Sequence, residues 1–332
     1  MNIAPAHIEA LQSFGYTEQE ARFLYIVATH SGYFVARQFL AFTAAHWGKR
    51  TTTFWNKLET RRHVRTESFP MSGVVHHLFS RRLYRQIEKE KLRNRRTHEI
   101  DFIKRRIAIL DFVLLNQRYQ YLETEPDKVR FFCGTLNIDK QYLPARLYIG
   151  TKTSRPTIRF FQDRFPMFLV SPSPLVTFTY VQEGGLGFTE FVSYLRTYLP
   201  LFRQLSEFRL VYVSRTNSCF PKATEIFNSF VKIPLESDIA GDLLRYFRVR
   251  KAWDEKQYAA VSDADLIFRN LARGRFNGER FEGLYRGWKT GQVSDDGIRR
   301  DVGTNDQERR VGFETFALEA LALQNVDSEK SE

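Results

Sequence analysis

A chain of 332 residues, 43 % hydrophobic and 15 % aromatic with 30 Phe, is too long for one small core and suits two or three domains, which excludes a largely disordered protein. Its two cysteines, Cys133 and Cys219, exclude a disulfide framework and an all-cysteine zinc site, and both are expected buried and reduced, as in a cytoplasmic protein. The net charge of +12 is concentrated: His46 to Arg96 holds fourteen Lys or Arg against four acids, leaving only about +2 elsewhere, and a local excess of that size points to a polyanion, most simply duplex DNA.

Met1 to Ala21 lacks a basic stretch followed by an apolar core, so no signal peptide is expected. The apolar runs are short and broken by charge, so no membrane partner is expected either. Thr17-Glu18-Gln19-Glu20 reads as a capping box, in which the Thr hydroxyl accepts the N3 amide and Glu20 reaches back. The helix it opens carries Ala21, Leu24, Tyr25 and Ala28 at helical spacing and stops at Ser31-Gly32. A short helix follows over Phe34 to Leu40, then a turn over Thr43 to Gly48, then a third helix from about Gly48 to Arg62. The period now changes. His63 to Phe69 alternates as a strand, Pro70-Met71-Ser72-Gly73 reads as a turn, and Val74 to Phe79 as a second strand. A hairpin directly after a helix-turn-helix is a wing. Ser80 then caps a highly charged helix, Arg81 to about Arg106, which continues through Ile100, Ile103, Ile107 and Leu110 as an amphipathic helix towards Asn116.

Thr124 to Asp127 marks a boundary, beyond which Arg146 to Gly150, Thr157 to Phe161, Leu175 to Val181 and Phe208 to Val213 are β-rich. Between them Phe188 to Leu205 reads helical, with a kink at Pro200, and Ala223 to Phe230 gives another short helix. Tyr194, Tyr198 and Phe202 are expected in the core. Residues 238–290 read helical, with a cap at Ser262-Asp263-Ala264-Asp265; the last forty residues read as a flexible tail holding a short amphipathic helix over Phe313 to Leu323. The expected fold is therefore α+β: a winged helix-turn-helix over 1–90, a basic and amphipathic connecting helix over 91–124, a mixed α/β domain over 125–237, a helical region over 238–290 and a tail over 291–332.

A helix-turn-helix lays its last helix in the major groove. With Phe54, Trp55 and Leu58 facing the core, Lys49, Arg50, Thr51, Thr53, Asn56 and Lys57 supply the residue types that read guanine, adenine, the thymine methyl and phosphate. Arg61 and Arg62 leave the helix where the DNA backbone would pass. Arg65 and His76 flank the wing, and Arg81, Arg82 and Arg85 open the next helix. These thirteen residues are the candidate DNA contacts. All seven histidines precede residue 99. His76 and His77 are adjacent on a strand and so point to opposite faces, and no metal or other cofactor is expected.

Residues 17 to about 120 resemble the replication-relaxation family of bacterial plasmid and mobile-element proteins, winged helices of the MarR-like kind. The resemblance is carried by the opening helix Glu18 to His30, Phe34-Val35-Ala36-Arg37-Gln38-Phe39, the helix Arg50 to Leu58, the wing ending His77-Leu78-Phe79, and Arg96-Thr97-His98-Glu99-Ile100. It implies DNA binding linked to plasmid replication, mobilisation or transcriptional control. The middle region resembles, more weakly, a restriction-endonuclease-like core. That core needs an acid on one strand and an acid-x-Lys on the next to hold Mg²⁺ and activate water. Asp163 fits the first place, but the following strand, Val176 to Glu183, has no acid-x-Lys, so a degenerate fold without catalysis is expected. No phosphate-binding loop, dinucleotide fingerprint or nucleophile elbow appears; Gly184-Gly185-Leu186-Gly187 reads as a flexible turn.

The expected protein is thus a non-enzymatic, cytoplasmic double-stranded DNA-binding protein, a transcriptional regulator or a replication or mobilisation accessory factor. A homodimer would pair through the helix Ile100 to Leu115 on a pseudo-palindromic site, but packing of that helix within its own chain is the favoured reading. The alternatives are a metal-dependent nuclease with acids converging on Asp163, and a winged-helix protein-interaction module.

Overall fold

Thr17 behaves as its neighbours dictate: its hydroxyl accepts the Glu20 amide at 3.3 Å, and Glu20 Oε2 accepts the Thr17 amide at 2.8 Å. This box opens α2 (Glu18–His30), which follows α1 (Pro5–Gln12). The computed structural model describes residues 1, 3–69, 73–149, 156–170, 175–183, 187–232, 235, 239–302 and 309–318. The expected turn residues Pro70, Met71 and Ser72, and Gly184, Gly185 and Leu186 of the glycine run, lie outside them. The chain is mixed α+β with several sheets, and it divides into two units, Met1–Asn228 with Gly312–Glu332, and Ser229–Val311.

In the first unit α2 ends where Gly32 takes φ +84, and a Cβ there would lie 2.2 Å from the Asn94 carbonyl oxygen. Only glycine fits that approach. Residues expected to start the second helix instead form β1 (Tyr33–Val35), and α3 covers Ala36–Thr43. Bulky Tyr33 and Phe34 favour the strand because they pair across it with His77 and His76. The helix α4 (Lys49–Thr60) and the strands β2 (Val64–Phe69) and β3 (Gly73–Leu78) follow, and the antiparallel sheet is ordered β1-β3-β2.

The long basic helix expected from Arg81 is broken. α5 covers only Arg81–Gln86, a 3₁₀ turn covers Arg93–Arg95, and α6 runs Ile100–Leu115. The chain turns at Glu88, φ +57, and Lys89 N donates back to Tyr84 O at 2.8 Å. Eight cations stacked on one helix would repel at i,i+4, and the break disperses them. α6 is not free to pair two copies. Ile103 and every residue from Arg106 to Leu114 are buried in their own chain. One side packs on α2, α3 and β1; from the other, Phe112 meets Phe168 and Phe316, ring centroids 6.1 and 5.1 Å apart.

Beyond α6 come β4 (Gln120–Tyr121) and α7 (Glu125–Val129), which continues as a π-helical turn over Arg130–Thr135. β5 (Ala145–Tyr148) and β6 (Thr157–Phe160) form a two-stranded antiparallel ribbon. The larger sheet has the order β10-β9-β8-β7-β4. Here β7 (Met167–Val170) is antiparallel to β4 and β8 (Leu175–Gln182), and β8 is parallel to β9 (Glu207–Ser214) through the crossover α8 (Thr189–Phe202). Tyr194, Tyr198 and Phe202 of α8 are buried against β8: Phe202 lies 5.1 Å from Phe178, and Tyr194 5.2 Å from Tyr180. α9 (Phe220–Phe227) follows. The helix expected over Phe313 to Leu323 is corrected to the strand β10 (Arg310–Ala317). Phe313 stacks on Phe227 at 4.6 Å while Phe316 meets Phe112, and residues three apart reach opposite faces on a strand but one face on a helix. Residues 319–323 of the expected helix lie outside the described residues.

The second unit is helical: α10 (Ile239–Asp254), α11 (Asp263–Arg275), α12 (Glu279–Lys289) and α13 (Asp295–Val302). Ser262 caps α11, as its sequence suggests. Leu243, Phe247, Phe276, Tyr285 and Ile298 form the core. The expected flexible tail is therefore structured over α13 and β10, because Ile298 completes this core and Phe313 the other.

Candidate nucleic-acid interface

The seat of α4 is an aromatic cluster. Phe54 stacks on Phe39 at 4.0 Å and meets Tyr16 and Phe23 edge-on at 6.2 and 6.3 Å, and Leu58 is fully buried beside them. Burying that stripe fixes what the helix shows to solvent. Lys49, Thr52, Thr53, Asn56 and Thr60 are exposed and recur at helical spacing on the opposite face, with Arg50 exposed at its edge. Thr52 is a member of this face that the sequence reading missed; the helical period alone would have found it. The Thr52 and Thr53 hydroxyls donate to Gly48 O and Lys49 O at 3.2 and 2.8 Å, which leaves their lone pairs outward.

Three of the expected contact residues are placed elsewhere. Thr51 is fully buried, its hydroxyl donating to Gly48 O at 2.7 Å and accepting the Gly48 amide at 2.8 Å, so it caps α4. His76 is buried, its ring stacked on Trp55 at 4.4 Å and its Nδ1 3.0 Å from the Thr66 hydroxyl. Burial pushes it down to about 4, so it is neutral near pH 7 and brings no charge to a phosphate. Lys57 is tied to Glu20 Oε2 at 2.7 Å, joining α4 to the capping box of α2. A cleft of about 530 Å³ lies there, lined by Thr17, Glu20, Lys49, Arg50, Thr53 and Lys57 among others.

The remaining cations form smaller groups. Arg61 lies over the Tyr16 ring at 5.5 Å and Arg82 over Phe14 at 5.3 Å, and both aromatic rings pack on His63. Arg65 is exposed on β2, its guanidinium over Phe79 at 5.1 Å. Arg62, at φ +52 after α4, and Arg81 and Arg85 on α5 are exposed. His77 packs away from His76, stacked on Tyr33 at 4.3 Å.

Comparison with family models, with curated proteins and with solved structures returns no match to this chain.

The acids of a nuclease centre do not converge. Asp163 accepts the Phe165 amide at 3.0 Å and faces Lys128, whereas Glu183 pairs with Arg215 at 3.3 Å in a different network. Among the described residues no group of three His, Cys, Asp or Glu side chains is placed to hold a metal ion. Cys219 is buried and free; Cys133, expected buried, is partly exposed and free. No helix among the described residues is long and apolar enough to cross a membrane.

Proposed function

We propose that this chain binds double-stranded DNA through a winged helix-turn-helix in its first ninety residues, with α4 as the recognition helix and β2–β3 as the wing. The observation that carries the reading is the outward face of α4. Lys49, Thr53 and Asn56 stand exposed on one side of a helix whose other side is locked into an aromatic core, with Arg50 at its edge. Asn suits adenine, Lys and Arg suit guanine or phosphate, and Thr suits phosphate or the thymine methyl. Arg61, Arg62, Arg65, Arg81, Arg82 and Arg85 supply the sequence-independent attraction to the backbone. The best-supported role is a transcriptional regulator or a replication or mobilisation accessory factor of a bacterial mobile element, acting without catalysis. The α/β half would serve assembly or regulation.

The test is capture of genomic fragments by the full chain, footprinting of those retained, and repetition across a salt series. If six to ten phosphates are neutralised, affinity falls by roughly 10³ to 10⁵ between 50 and 200 mM salt, and footprints share a sequence. Affinity that ignores salt would remove the reading.

A further inference from the structure

Below the N-terminal helices lies a cavity of about 120 Å³ that the DNA reading does not use, bounded by the end of α2, the turn before α6, α6, α7 and the segment joining β6 to β7. Its wall carries more cations than acids. Arg106 is 2 % exposed, and among the described residues its guanidinium donates to neutral oxygens: Ser31 O at 3.1 Å, Arg164 O at 3.3 Å, His30 O and Asn94 Oδ1 at 3.1 Å. Arg164 donates to the same Asn94 Oδ1, at 3.3 Å. Two guanidinium groups thus share one amide oxygen. Lys128, 5 % exposed, donates to Phe165 O at 3.2 Å.

The acids nearby do not close the balance. Glu123 is taken by Lys89 at 2.9 Å and by the Tyr25 hydroxyl at 2.6 Å. Glu125 accepts the Phe160 amide at 3.0 Å and faces Arg159 at 3.6 Å. Asp163, with smaller contributions from Glu125 and Asp127, offsets Lys128. Arg106 has a structural duty, because its fork caps the carbonyls that end α2. That duty explains neither Arg164 nor Lys128. A fourth group points the same way: His30 is 6 % exposed, lines the cavity, and its Nε2 has no hydrogen-bond partner among the described residues. An unpartnered polar atom among buried like charges is what a site looks like when its ligand supplies both the acceptor oxygens and the negative charge.

We infer that this cavity binds a phosphate group, free or as a monoester, with Arg106, Arg164 and Lys128 donating to its oxygens and His30 Nε2 as a fourth donor. Three donors with one neutral imidazole match a tetrahedral anion carrying several acceptor oxygens, and planar guanidinium groups suit it. Burial already holds Arg106 and Lys128 below their usual values, at about 9 and 8, and a bound dianion would reverse that.

The test is thermal unfolding of the full chain in sodium phosphate, adenosine 5′-monophosphate, sulfate or chloride at matched ionic strength. Phosphate should raise the midpoint by roughly 5 °C at about a hundred times its dissociation constant. A response to both phosphate compounds identifies a free or terminal phosphate. A response to the nucleotide alone identifies an esterified ligand. Arg164→Met and Lys128→Met should each abolish the response. Without ligand, Arg164→Met should unfold at or above the wild-type midpoint, since a cation with no acid partner among the described residues has been removed, whereas Lys128→Met should unfold below it, since it strands the Asp163 carboxylate. Equal midpoints in all four salts would overturn the inference. So would an undiminished response in both variants, or a ligand-free Arg164→Met midpoint well below wild type with the response retained. These residues are apart from α4, so DNA affinity tests the other reading independently.

Discussion

The most informative single change is Asp111→Ala. The Asp111 carboxylate on α6 is fully buried and accepts four hydrogen bonds: two from Arg37 at 2.9 and 2.7 Å, one from Gln38 Nε2 at 2.7 Å and one from Arg215 at 2.8 Å. It thereby holds α3 and the end of β9 to one point on α6. Removing it leaves Gln38 with Ile107 O and Arg215 with Glu183, so both keep a partner. Arg37 loses its one ionic partner among the described residues. Breaking a buried pair by removing one side costs about 3–5 kcal/mol. Arg37 and Arg215 are 26 % and 33 % exposed at the side chain, so water recovers part of the loss, and the expected cost is about 3 kcal/mol. The measurement is urea unfolding followed by circular dichroism. A double-mutant cycle with Arg37→Ala should return a coupling of roughly 1.5–3 kcal/mol, because the second truncation has little left to break. A loss under about 1 kcal/mol would mean that the pair behaves as a surface ion pair and that α3 is not anchored through it.

Three other changes follow from the same geometry. Burial pushes His30, His63, His76 and His77 down to about 3, 4, 4 and 4, so the unfolded chain takes up protons first, near its ordinary value of about 6.5; stability is complete above that pH and drains from 6.5 towards 4. At on the order of 3 kcal/mol for each ring, unfolding should occur near pH 5, and a flat stability between pH 7 and 5 would contradict it. Gly32→Ala brings a methyl 2.2 Å from the Asn94 carbonyl oxygen at a positive φ, so it should cost more than about 3 kcal/mol, read as a fall in unfolding midpoint; an unchanged midpoint would show that the end of α2 is not held there. On DNA, Lys49→Ala should weaken all sequences alike and lower the salt slope by about 1, whereas Asn56→Ala should cost about 1–3 kcal/mol on the footprinted site alone; if both act alike on random DNA, α4 reads no bases.

Local chemistry was legible in the sequence where one residue decides it. The boxes at Thr17 and Ser262, the stop at Gly32, and the β-branched runs of β6, β8 and β9 are of this kind. What failed depended on partners distant in sequence. β1 exists because β3 lies beside it, and β10 because β9 does, so a segment with helical composition became an edge strand. The face of α4 was readable from its apolar stripe. The burial of His76 was not, since Trp55 reaches it only after the hairpin folds back. Nor was any signal available for the gathering of His30, Arg106, Lys128 and Arg164, four residues from four separate segments.

The larger sheet closes with a strand drawn from beyond the second unit. During synthesis the ribosome must emit all of α10 to α13 before β10 exists. Until then β9 is a bare edge of unpaired amides and carbonyls, and Phe227 lacks the Phe313 ring that stacks on it. A chain cut after Asn228 would keep every residue of α4 yet carry a sticky sheet. The end that carries α4 is therefore synthesised early while the edge of β9 is covered late, and proteolysis between the units should yield a fragment that aggregates through β9.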